Sequence, residues 1–122
     1  MLAEDISAPV REITLGARTV NARFDHNMMR MAELYWQQTT LRKLNYLGIV
    51  DQAIARTYCG LGAVAYGACA SAAMAENRPP MAVREFDKAF DYYAIKGAAQ
   101  ALIDGVVAGL PKGAAEDGPK NA

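Results

Sequence analysis

Few side chains in this sequence are of the kinds that carry chemistry. The one imidazole, His26, sits between Asp25 and Asn27, and a neighbouring carboxylate is a common means of keeping an imidazole protonated for acid–base work. A single histidine at a helix start reads more simply as a surface residue of the cap. The two thiols, Cys59 and Cys69, are ten apart in a stretch that reads as helix, where that spacing is roughly 15 Å of rise and too long for a disulfide. Free thiols among small residues are usually packing, and a reducing compartment suits them. Together with His26 they lack the number and tight spacing of a zinc site. Glu85, Asp87 and Asp91 are close in sequence, yet Arg84 and Lys88 alternate with them as on a solvated helix face. Gly60-x-Gly62 has no strand before it and so lacks the setting of a dinucleotide loop. Arg42, Lys43 and Arg56 are too dispersed for a nucleic-acid stripe, and 13 basic against 13 acidic residues leave no net charge to draw the chain to phosphate. The expectation is a chain with no catalytic residue, cofactor or metal, and no nucleic-acid partner.

The elements that carry these residues follow from composition and periodicity. A chain of 122 residues is of one-domain size. Its residues are 52% hydrophobic but only 8% aromatic, and Ala makes up about a fifth, which favours closely packed helices. Residues 1–10 read as a mobile lead-in, 11–110 as a helical domain opening on a hairpin, and 111–122 as a disordered tail of Gly, Ala, Pro and charge. Ile13 and Leu15 before Gly16-Ala17-Arg18, then Val20, Ala22 and Phe24, alternate as in a half-buried β-hairpin. Two strands alone are marginal, so the hairpin must lie on the helices or pair its edges.

Asp25 is placed as the N-cap of a helix starting at His26, with Phe24 and Met29 as a hydrophobic staple. Leu41, Leu44 and Leu47 suggest a short helix stopped near Gly48, and Asp51 caps the long Ala-rich helix that ends at Asn77-Arg78-Pro79-Pro80, with Gly60 and Gly62 able to split it. Val83, Phe86, Phe90 and Tyr93 form the stripe of the next helix. Ile95, Ala98, Leu102, Val106 and Leu110 continue helically past a bend at Gly97 to Pro111. The fold class is thus mainly α, about five helices behind an N-terminal hairpin.

Two features could meet something outside the chain. Residues 57–75 carry no charge over 19 positions and pass the length test for a membrane span, but the run is mostly Ala and Gly with few large aliphatics, so a buried helix is expected and no membrane partner. Met28, Met31, Tyr35, Trp36, Phe86, Phe90 and Tyr93 lie on helical faces that look wider than one neighbour can cover. Core packing is one account of them; a self-association or client surface is the other.

The order of these features resembles the phage tail assembly chaperones. The resemblance rests on Ile13-Thr14-Leu15-Gly16, a second strand ending Arg23-Phe24-Asp25-His26-Asn27, a helix with Met31-Ala32-Glu33, the Ala-rich helix with Ala65-Tyr66-Gly67, the turn Pro79-Pro80, the helix with Glu85-Phe86, and a tail ending Lys120-Asn121. It spans roughly residues 11–110 in short motifs. It implies a non-enzymatic chaperone in the host cytoplasm that binds the tape measure protein, helps bring tail tube protein onto it, and is absent from the finished virion. It also implies that this chain is the short form of a product sometimes extended by frameshifting. A homo-oligomer is expected from the apolar faces and the hairpin edge. A small structural subunit of the particle, such as a connector, and a small membrane protein are the alternatives.

Overall fold

The computed structural model describes residues 9–109, and the expectations for the lead-in before Pro9, for Leu110 and for the tail lie outside the described residues. The hairpin is strands β1 (Val10–Leu15) and β2 (Arg18–Arg23), antiparallel with Leu15 opposite Arg18 and Val10 opposite Arg23. It starts one residue earlier than the sequence suggests. Gly16 has φ 67, the left-handed value that a two-residue hairpin loop needs at its first position and that glycine supplies without strain. Ile13, Leu15 and Ala22 are buried while Glu12, Thr14, Thr19 and Asn21 face solvent, so the alternation lays one face of the hairpin on the helices.

Helix α1 (His26–Thr40) starts where Asp25 caps it, the Asp25 carboxylate accepting from the Met28 N–H at 3.0 Å. The polar run at its end does not break it; the Thr39 and Thr40 hydroxyls donate back to the carbonyls of Tyr35 (2.9 Å) and Trp36 (2.7 Å) in its last turns. The helix stops at Leu41 in the left-handed region, φ 62. Helix α2 (Tyr46–Ile54) then begins behind Asn45, whose side chain accepts from the Gly48 N–H at 2.8 Å. Gly48 therefore lies in a first turn, not at a helix stop, and Asp51 is an exposed mid-helix residue, not a cap. The cap expected there is supplied by Thr57, which accepts from the Gly60 N–H at 3.1 Å after a reversal at Arg56, φ 61.

Helix α3 (Tyr58–Ala75) runs unbroken through its glycines and forms the centre of the molecule, touching α1, α2 and β2. Its glycines are where neighbours press closest. A methyl on Gly67 would lie 2.5 Å from the Met28 carbonyl oxygen and 2.9 Å from the Ala32 nitrogen. By length and composition α3 could cross a membrane, mean hydropathy 1.3, but 72% of it is buried within this chain.

The chain turns at Asn77, φ 58, and passes Pro79-Pro80 into α4 (Val83–Ala89). The stripe expected to continue to Tyr93 breaks at Phe90, which is extended. Asp91 then caps α5 (Tyr92–Gly97) by accepting from the Ala94 N–H at 2.9 Å, and α6 (Ala99–Gly109) follows a turn at Ala98. Ile95, Ala98, Leu102 and Val106 are all buried, as their spacing requires. Six helices are thus present among the described residues, behind one two-stranded hairpin.

Candidate functional site: a groove on the free edge of the hairpin

The seven residues nominated from sequence fall into three groups. Met28, Tyr35, Phe86 and Phe90 are buried, and the expectation that they form a contact surface is corrected by their place in the core. Tyr35, Tyr66, Phe86 and Phe90 pack as one aromatic cluster, with ring centroids 5.5 Å apart for Tyr35–Tyr66, 5.4 Å for Tyr66–Phe86 and 4.9 Å for Phe86–Phe90. Met31 and Trp36 are half-buried against the core. Tyr93 alone stands out, 79% exposed, because the break at Phe90 resets the helical phase and turns it away from the stripe.

The exposed aromatic ledge is therefore built differently from the one anticipated. Tyr58 at the start of α3 packs edge-on to Tyr92 at 5.4 Å, Tyr92 meets Tyr93 at 5.6 Å, and the Lys96 ammonium lies 5.5 Å from the centre of the Tyr92 ring. Sequence reasoning passed over Tyr58 because it opens an Ala-rich run read as buried throughout. Its position just after the Thr57 cap was the available signal.

The larger feature is a groove of about 600 Å³ beside β2. One wall is Arg18, Thr19, Val20 and Asn21; the other is the turn from Arg78 to Met81. The floor is Tyr66, Cys69, Ala70 and Ala73 of α3, with Phe86 and Phe90 beyond. Tyr66 donates its hydroxyl to the Met81 carbonyl at 2.6 Å, which ties the far wall to the floor. At one end Asn21 donates to Glu76 at 3.0 Å, and Glu76 pairs with Arg78 at 2.5 Å. Hydrogen bonds from Arg78 and Asn21 hold the Glu76 carboxyl below its ordinary pKa. At the other end the Arg18 guanidinium lies 4.9 Å from the centre of the Phe90 ring. Burial pushes the Cys69 thiol up to about 12 against the opposing pull of Arg18, which makes it a packing group in the floor and a poor nucleophile.

The register of the hairpin decides which backbone groups face the groove. A two-residue loop closes on a hydrogen-bonded pair, and in antiparallel strands such pairs alternate with unbonded ones. Leu15 with Arg18, Ile13 with Val20 and Arg11 with Ala22 therefore exchange bonds inside the hairpin. Thr19 and Asn21 aim their N–H and C=O groups outward, and no backbone partner meets them among the described residues. A strand edge, an apolar floor and a second wall together form a slot for a short extended segment, held by main-chain bonds with small side chains on the floor. Among the described residues no three His, Cys, Asp or Glu side chains converge as a metal set. No family model, no curated protein and no solved structure matches this chain.

Proposed function

We propose that this chain is a non-enzymatic tail assembly chaperone of a long-tailed phage or prophage, binding the tape measure protein and helping to recruit tail tube subunits in the host cytoplasm. The observation that carries the reading is the groove beside β2, where main-chain groups of Thr19 and Asn21 that meet no backbone partner among the described residues border a floor of Cys69, Ala70 and Ala73. Main-chain bonds are indifferent to sequence and an apolar floor accepts many side chains, which is what reversible cover of a long, aggregation-prone client requires. The order of hairpin, capped helix, Ala-rich helix and paired prolines, which resembles that of the family, supports the tape measure protein as the client. The Tyr58, Tyr92 and Tyr93 ledge supplies a second apolar contact for the client or for another copy.

Co-expression with the tape measure protein of the same phage or prophage tests the reading. The expected result is a client that stays soluble and copurifies, and a chain that is missing from purified virions. A folded, soluble chain that leaves the client insoluble overturns it. Its presence in the virion would instead mark a structural subunit.

A further inference from the structure

The outward main-chain groups of Thr19 and Asn21 accept any sequence, so what the groove selects must come from the side chains around it. Arg18, Val20 and Ala22 share the inner face of β2, and Ala22 is already closed off by the core. Val20 is half-buried, as is Cys69 in the floor, and Met81 on the far wall is 38% exposed, which leaves apolar surface for one aliphatic side chain to cover. Three charged side chains line the groove. The Arg78 guanidinium is taken by Glu76, and the Glu85 carboxylate turns back to accept from the Ala82 N–H at 3.3 Å at the start of α4. Arg18 differs. Its guanidinium lies over the Phe90 ring, near enough to Cys69 to act on the thiol, and no carboxylate pairs with it among the described residues. One end of the groove thus presents a cation that a partner's carboxylate would complete.

We infer that the groove recognises an extended segment of a partner protein that carries an aliphatic residue facing Val20 and an acidic residue two positions further on, facing Arg18. Antiparallel addition, the more stable pairing per residue, fixes that order. The two residues flanking the aliphatic one exchange main-chain bonds with Asn21 and Thr19, and the next in the C-terminal direction comes opposite Arg18 on the same face as the aliphatic one. A cross-strand pair of opposite charge is favourable there and one of like charge is not. Main-chain bonds thus give the segment its hold, while Val20 and Arg18 give the site its preference. That the segment belongs to the tape measure protein rests on the function proposed above; the chemistry it must carry does not.

Titrating the full 122-residue chain with the peptide acetyl-Thr-Val-Thr-Val-Thr-Glu-Thr-amide, and with its counterpart bearing Lys for Glu, tests this by amide NMR at low salt. The Glu peptide is expected to bind about fivefold more tightly than the Lys peptide, to slow exchange at the Thr19 and Asn21 amides, and to lose much of its advantage at about 0.5 M salt. Arg18→Glu should invert the order of the two peptides, since it reverses the one charge at issue. Equal affinities, an order that Arg18→Glu leaves unchanged, or no binding of either peptide at about 5 mM would overturn the inference. Perturbation confined to Tyr58, Tyr92 and Tyr93 would overturn it too, as would protection of Thr19 and Asn21 that rises with protein concentration in the absence of peptide, which assigns the edge to a second copy. Where Arg18→Glu melts the hairpin, seen as lost protection at Val20 and Ala22, Arg18→Gln replaces it and should bring the two peptides level; a preference that persists rejects the role of Arg18. Failure of client rescue leaves these affinities untouched, so the two readings fall separately.

Discussion

At the scale of single residues, the glycines of α3 and the buried tyrosines carry the sharpest consequences. Gly67 faces backbone atoms of α1 on two sides, Met28 O and Ala32 N, and neither can move as a side-chain tip could. Gly67→Ala should lower stability by about 2 kcal/mol, since overpacking typically costs ~1–3 kcal/mol and the gain in helix propensity returns at most ~1. A methyl on Gly97 would meet nothing within 4 Å, so Gly97→Ala should raise stability by up to ~1 kcal/mol. Urea midpoints that move the same way in both variants would refute this account of the α1–α3 contact. Burial also holds the Tyr35 and Tyr46 hydroxyls above their ordinary pKa, Tyr35 further through its 2.5 Å hydrogen bond to Asp87. A folded state that retains protons more tightly than the unfolded chain is fully stabilised below the ordinary tyrosine pKa of about 10 and loses that advantage as pH rises above it. Urea unfolding should give a steady midpoint up to about pH 9.5 and a falling one by pH 11. A Tyr35→Phe/Tyr46→Phe double variant whose midpoint fell equally over that range would place the effect elsewhere.

At the scale of elements, the joint between hairpin and helices hangs on Asp25. Its carboxylate caps α1 through the Met28 N–H, accepts the buried Ser71 hydroxyl of α3 at 2.5 Å, and lies 3.5 Å from the Arg23 guanidinium. Asp25→Ala should cost about 2–3 kcal/mol, a cap at ~1 plus the desolvation of an orphaned hydroxyl at ~1–3, and Ser71→Ala should cost clearly less. Equal losses in thermal or urea unfolding would mean the cap contributes nothing. This joint was legible in the sequence, because an Asp between an alternating segment and an i, i+3 stripe has one plain structural meaning. The hairpin, the end of α3 at the prolines and the buried face of α6 were legible for similar reasons. The breaks at Leu41, Arg56 and Phe90 were not. Two of them are left-handed turns made by residues other than glycine, which leave no compositional mark, and at Phe90 the apolar spacing continues across the break although the helix does not. That lost phase hid the fate of Tyr93, and the wide face of α1 hid how fully Met28 and Tyr35 are enclosed.

At the scale of the whole molecule, one helix is wrapped by the rest, and this separates residues that hold the fold from residues free to meet a client. Tyr35, Phe86 and Phe90 lie in the aromatic cluster against α3, where truncating a buried aromatic costs ~3–5 kcal/mol, a large share of the ~5–15 kcal/mol that stabilises a domain. Phe86→Ser should therefore abolish cooperative unfolding at 37 °C, and any loss of client binding in that variant reports on folding alone. Tyr92 and Tyr93 are 36% and 79% exposed, and surface substitutions away from special backbone positions usually stay within ~0.5 kcal/mol. The Tyr92→Ser/Tyr93→Ser double variant should keep the parent's urea midpoint to within about 0.5 M and its circular dichroism spectrum. If the ledge meets client or copy, that variant should solubilise less of the co-expressed client or shift to a smaller species on size exclusion. A double variant that matches the parent in midpoint, oligomer size and client recovery would remove the ledge from the proposed interface and leave the β2 groove as the surface on which the chaperone reading stands.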